Sequence, residues 1–198
     1  MSGTKKEEKN WSPAENVIRE LEAVLRAFFD SRRGAFEACV EALALKLENG
    51  GAILLFGNGG SAAEAQHFAA EMVNKLARSR RALPALALTT DTSCLTAVGN
   101  DAGFERVFSR QIDALGREGD AAVALTTSGV SPNVLEGLRA ARAKGLLTVA
   151  LTGEETGAIA RLADHLLDVP SLSTPRVQEA HLVILHLLAA ALEERLTL

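Results

Sequence analysis

Five short apolar runs, each closed by a turn and followed by a helical pattern, constrain this chain more than any other feature. They read AILLF (52–56), ALALTT (85–90), AAVALTT (121–127), LLTVALTG (146–153) and DHLLDVP (164–170). Apolar runs without polar alternation belong to strands covered on both faces. Alternation with helices predicts an α/β fold: a three-layer αβα sandwich on a five-stranded, mostly parallel sheet, flavodoxin-like and preceded by N-terminal helices. In such sheets a ligand sits beyond the carboxyl ends of the strands, where the strand order reverses. The turns after Phe56, Leu88 and Leu125 all lie at that end.

The connecting segments carry helical signals. Val17, Leu21, Val24, Leu25 and Phe28 share one face, Ser31 and Gly34 interrupt it, and Phe36, Val40, Leu43 and Leu47 resume it. This predicts two helices over 13–48, with an outer surface for which a second subunit is one candidate cover. Ser61, with Glu64 three residues on, reads as a capping box opening a helix to about Leu76. DTSCLTAVGNDAGF is a loop or short helix, and ERVFSRQIDALG is helical. Ser131, Pro132 and Gly145 read as cap, first residue and terminator of another helix. ETGAIARLA is a short helix, and one long helix, apolar nearly all round and therefore largely buried, runs from Thr174 onward. The chain divides into a flexible N-terminus (1–12) and a single domain (13–198).

The formal net charge of -4 gives no basic surface for nucleic acid, and an aromatic content of 4% leaves little for base or sugar stacking. Cys39 and Cys94 suit a reducing compartment. The opening MSGTKKEEKN is polar, and no span approaches ~20 apolar residues, so a cytoplasmic location without membrane or nucleic-acid partners is expected.

The turn in LLFGNGGSAAEAQHF (54–68) could seat a dinucleotide, seat a phosphate or merely reverse the chain. A dinucleotide fingerprint needs glycine where Ala62 stands, and a Walker loop needs a lysine that is absent. The flexible glycines and the following helix start favour an anion, although they equally suit a plain turn. The second turn shifts the balance. Thr126, Thr127, Ser128 and Ser131 crowd hydroxyl donors around another helix start, where capping needs one of them. A small phosphate-bearing ligand follows.

Further on, His67 and Glu71 stand one turn apart on a common helix face. Gln178, His181 and His186 interrupt the apolar last helix, where buried polar groups need partners. A satisfied core histidine is the ordinary outcome, particularly for His181. His67 and Glu71 with one or two of these groups would also make an N/O set for zinc or a similar divalent ion, although spacing alone is weak support. Gln178 and His186 are ~12 Å apart along the axis, so ligation of one ion by both needs converging side chains.

GNGGSAAEAQHFAAE, AVGNDAGFERVFSRQ, LTTSGVSPNVLEGLRAARAKG and RVQEAHLVILH together resemble the phosphoheptose isomerases (sedoheptulose-7-phosphate isomerases) of the SIS, or sugar isomerase, family. The resemblance implies an aldose–ketose isomerase interconverting D-sedoheptulose 7-phosphate and D-glycero-D-manno-heptose 7-phosphate through an enediol. By the same resemblance, Asn58, Gly59, Gly60 and Ser61 form a substrate turn, and Asn100 and Asp101 a second substrate loop. Thr126, Thr127, Ser128 and Ser131 form the phosphate cradle, though the family often has serine where Thr126 stands. His67, Glu71, Gln178 and His186 hold one zinc per subunit, Glu71 and Gln178 also touch substrate, and Glu71 and His186 are catalytic. His181 receives no role. A homotetramer feeding heptose for lipopolysaccharide is likewise implied. The alternative is a non-catalytic SIS protein that binds a sugar phosphate or docks on a replication initiator; the presence of both Glu71 and His186 favours the enzyme.

Overall fold

The computed structural model describes residues 12–196. The N-terminus expected to be flexible lies outside them, apart from Ser12, which already opens the first helix.

That helix, α1 (Ser12–Glu48), is continuous over 37 residues, so the two helices expected here are one. The Ser31 hydroxyl donates to the carbonyl of Ala27 at 2.7 Å, which satisfies it inside the helix. Gly34 carries a propensity cost of about 1 kcal/mol. Phe29 bridges the interruption, meeting Phe28 and Phe36 edge to face at ring centroid distances of 5.0 and 5.7 Å.

The chain then alternates strand and helix: β1 (Ile53–Gly57), α2 (Gly60–Val73), β2 (Ala85–Ala87), α3 (Thr92–Ala102), α4 (Ser109–Leu115), β3 (Ala121–Leu125), α5 (Pro132–Ala143), β4 (Leu147–Thr152), β5 (His165–Asp168) and α6 (Thr174–Leu196). Turns of 3-10 helix at Phe104–Arg106 and Ile159–Arg161 complete it. DTSCLTAVGNDAGF thus supplies a regular helix, and ETGAIARLA only a single tight turn.

All strand pairs are parallel, in the order β2-β1-β3-β4-β5. The order reverses at β1, whose neighbours are β2 on one side and β3 on the other. The β1/β3 boundary is therefore where a ligand is expected. Strand side chains alternate between two cores. Ile53, Leu55, Val123, Leu125, Val149 and Leu151 face α1, α2 and α6. Leu54, Phe56, Ala122, Ala124 and Ala150 face α4 and α5. Close packing on that second side depends on Gly137, where an added Cβ would lie 2.7 Å from the Phe56 ring. Each fully buried Leu or Phe contributes about 1.5–3 kcal/mol, so the two cores hold the strand ends rigidly.

Two ends differ from expectation for physical reasons. Helix α2 stops at Val73 rather than near Leu76, because the backbone N–H groups of Leu76, Ala77 and Arg78 turn away to the Glu193 carboxylate. Helix α6 is apolar all round but is not buried all round. Leu182 and Leu187 are 36% and 41% exposed on the flank that also carries the half-buried His186. Among the described residues no helix is long and apolar enough to cross a membrane.

Candidate active site

The helices that follow β1 and β3 begin without a side-chain cap. Gly59 occupies the N-cap of α2 with φ 56, and among the described residues no side chain caps this helix start. Ser61 is the second residue of α2 rather than its cap, so the capping box is not formed. Glu64 does not reach back either; it is buried and faces His181. Ser131 stands at the N-cap of α5 as expected, yet its hydroxyl makes no capping bond. Helix α3 behaves in the ordinary way, its Asp91 carboxylate accepting from the Cys94 N–H at 2.9 Å. Two helix N-termini without side-chain caps thus sit side by side at the switch point. The Ser61, Ala62, Val134 and Leu135 N–H groups donate to backbone carbonyls, and the dipole of each helix start favours an anion.

The predicted hydroxyl cluster lines the second of these starts. Thr126 is buried, Thr127 and Ser131 are half-buried, and Ser128 is exposed, its oxygen accepting from the Val130 N–H at 3.5 Å. Gly129 has φ +67, and a Cβ there would stand 2.6 Å from the Glu155 carbonyl oxygen. Only glycine fits that turn.

A reciprocal amide pair ties the two turns together. Asn58 Nδ2 donates to Asn133 Oδ1 at 2.8 Å, and Asn133 Nδ2 donates to Asn58 Oδ1 at 2.7 Å. Asn133 is only 3% exposed. Sequence reasoning missed it. The available signal was an amide on the first turn of a helix that follows a hydroxyl-rich loop.

Two turns beyond the phosphate-like end, three predicted groups meet. His67 Nε2 lies 2.8 Å from His186 Nε2 and 3.1 Å from Glu71 Oε1, and His186 Nε2 is 3.4 Å from the same oxygen. The facing ligand atoms of these three residues all lie within 4.8 Å of one another. The histidine side chains are 46% and 40% exposed, whereas that of Glu71 is 11% exposed. Glu71 Oε2 is buried with no hydrogen-bond partner among the described residues. Such an orphan costs about 1–3 kcal/mol, and two imidazole nitrogens aimed at each other can direct their lone pairs at one cation. The set therefore fits a divalent ion of the zinc type.

Gln178 stands apart from these three. A Cβ on Gly60 would lie 2.5 Å from its Nε2, so its amide occupies the space that glycine leaves at the start of α2. Gly60 and His67 lie on one face of α2. Gln178 accompanies that face from α6, yet among the described residues no hydrogen bond joins it to the three.

His181 is a core histidine satisfied at one nitrogen, its buried Nδ1 having no hydrogen-bond partner among the described residues. Fully buried, it donates through Nε2 to the Thr152 carbonyl at 3.1 Å. Burial pushes its imidazole down to about 4 against the opposing pull of that carbonyl, and burial pushes the Glu64 carboxyl up to about 7. Although Glu64 Oε2 and His181 Nδ1 are 3.9 Å apart, they do not form an ion pair near neutral pH, because His181 is then uncharged.

Asn100 and Asp101 lie exposed at the end of α3, bonded to each other at 2.7 Å. Among the described residues neither bonds to any other predicted site residue.

The family described as SIS domain matches residues 17–153. The phosphoheptose isomerase of Burkholderia pseudomallei (strain K96243) is 49% identical over 184 residues, which are 90% of this chain and 91% of that protein. That of Geotalea daltonii is 54% identical over 159 residues, 80% and 83% of the two chains. Among solved structures, the phosphoheptose isomerase of Neisseria gonorrhoeae superposes with a TM-score of 0.87 at 41% identity, covering 92% of this chain and 98% of that one.

Proposed function

The chain belongs to the SIS-domain family and, within it, to the phosphoheptose isomerases, and from this membership we propose that it interconverts D-sedoheptulose 7-phosphate and D-glycero-D-manno-heptose 7-phosphate through an enediol. The observation that carries the reading is the convergence of His67, Glu71 and His186 below two uncapped helix starts. It joins a place for an anion to a place for proton transfer, and it disfavours the purely regulatory alternative.

The phosphate is held by the Ser61 hydroxyl and the glycine turn before it, and by Thr126, Thr127, Ser128 and Ser131. Held there, it anchors the sugar with its other end over the cluster, which turns a diffusive encounter into a positioned one. Glu71 acts as base, taking the proton from one of the two carbons that exchange oxidation state and returning it to the other. His186 moves the hydroxyl proton between the adjacent oxygens. Half-exposed His67 and His186 keep this end open to substrate. His67, Glu71 and His186 would hold the zinc ion, one per subunit, with Gln178 as the remaining predicted ligand and a contact to the sugar. A bound zinc supplies Lewis acidity toward the carbonyl and its neighbouring hydroxyl.

Residues 13–198 work as one unit in a cytoplasmic homotetramer, and the product feeds heptose for lipopolysaccharide. The exposure of Asn100 and Asp101 fits a site completed near a subunit boundary. Purified protein incubated with sedoheptulose 7-phosphate, with and without added zinc, should form the aldose. No aldose under either condition overturns the proposal. Glu71→Gln should lower turnover by at least about 100-fold and keep the fold; unimpaired turnover removes Glu71 from the mechanism.

A further inference from the structure

The Asn58–Asn133 pair is placed where the two halves of the phosphate site would otherwise be free to separate. Asn58 belongs to the turn after β1, whose carbonyl accepts from the Ser61 N–H at 3.0 Å. Asn133 is the second residue of α5, which starts immediately after the hydroxyl loop. The sheet joins the strands beneath them, Gly57 pairing with Leu125. Beyond that register the backbones diverge into separate turns. The two amides bridge them with two hydrogen bonds, and Asn133 is buried beneath the turn.

This pairing is self-consistent in one arrangement. Turning one amide alone sets oxygen against oxygen and NH2 against NH2, which is repulsive at these distances. Each side chain therefore fixes the other's orientation. Asn58 spends its carbonyl oxygen and one N–H on Asn133, so its side chain has little left for a sugar, and the backbone of its turn becomes the group that meets the ligand.

We propose that Asn133 is a positioning residue that sets the separation between the Gly59–Ser61 turn and the Thr126–Ser131 loop, and thereby the affinity for the phosphate of the substrate. This rests on the reading above only in placing a phosphate between those loops. Asn133 acts through Asn58 and touches neither the reacting carbons nor the His67, Glu71 and His186 cluster. Its loss weakens anchoring and leaves the proton-transfer groups where they are.

A double-mutant cycle on Asn58→Ala, Asn133→Ala and the double variant tests this, using the full chain. The readouts are the dissociation constant of inorganic phosphate by calorimetry, KM and kcat with sedoheptulose 7-phosphate, zinc content and the melting temperature. Each single variant should weaken phosphate binding and raise KM by about tenfold, with kcat changed less than about threefold. The double variant should be no more than about twofold worse than either single one, because the pair acts as a unit. Independent, additive losses overturn the proposal. So does a loss of zinc or of melting temperature that accounts for the whole effect, and so does wild-type protein that binds no phosphate. If the wild type binds phosphate yet makes no aldose, the heptose reading fails while the phosphate arm of the cycle still decides the role of Asn133.

Discussion

Glu193 lies on α6 two turns beyond His186, and its side chain is 1% exposed. Its Oε1 accepts from the Leu76 N–H at 2.7 Å, and its Oε2 accepts from the N–H groups of Ala77 and Arg78 at 3.0 and 2.9 Å. Arg80, equally buried, places Nε 3.3 Å from Oε1. The same guanidinium donates to the carbonyls of Glu71 and Met72 at 2.7 and 2.9 Å, closing the last turn of α2. A continuous polar chain therefore ties the end of the helix that carries His67 and Glu71 to the helix that carries His186. Glu193→Ala leaves a buried guanidinium uncompensated and three N–H groups without their acceptor. Removing one partner of a buried pair costs about 3–5 kcal/mol. At about 2–4 °C per kcal/mol for a chain of this size, the melting temperature should fall by about 6–20 °C. Thermal unfolding at fixed protein and zinc concentrations measures it, since association and metal binding both shift the midpoint. The effect should depend on pH. Burial alone would raise the Glu193 carboxyl, but the N–H bonds from Arg78, Ala77 and Leu76 and the charge of Arg80 outweigh it and hold it below its ordinary value of 4.5. A lowered folded-state value supplies stability above the unfolded value and loses it as pH falls through the folded one. The gap between wild type and variant should thus narrow below pH 4.5. A fall of less than about 2 °C at neutral pH would refute the reasoning.

Two further perturbations probe the same helix pair. Glu64, pushed up to about 7 from 4.5, loses its favourable contribution as pH rises through that window, whereas His181, pushed down to about 4 from 6.5, loses its own as pH falls through the overlapping one. Glu64→Gln should therefore match wild type near pH 4 and exceed it by about 2 kcal/mol in urea unfolding at pH 8; an equal difference at both pH values rejects this. Gly60→Ala would set its Cβ 2.5 Å from the Gln178 amide, the movable end of a side chain. The fold should survive within about 2 °C while kcat/KM falls by about tenfold, and unchanged kcat/KM would show that Gln178 need not stand there.

Much of the architecture was legible because it rests on local, one-dimensional signals. Five apolar runs closed by turns predict the five strands, although the edge strands β2 and β5 are only partly buried, and Pro132 and Gly145 bracket α5 as read. Helix boundaries failed where a distant group competed. The Ser31 hydroxyl found its partner within the helix, so α1 runs unbroken. Glu193 drew three N–H groups out of α2, a competition invisible from residues 61–76 alone. The serines at 61 and 131 suggested caps by position, yet neither side chain caps its helix, because backbone carbonyls of Asn58, Gly59 and Ser131 take the first-turn N–H groups instead.

What the sequence by itself determined is the residue inventory and its local spacing: hydroxyls after β3, His67 and Glu71 one turn apart, and an apolar last helix interrupted by polar groups. Only the tertiary structure decided which of those groups meet. It brings His186 to His67 and Glu71 but sets Gln178 against Gly60, seals His181 against Thr152, and joins Asn58 to Asn133 across two turns. The reason is physical. Periodicity places a side chain on a face of its own element, whereas the distance between elements follows from how two cores pack on a common sheet.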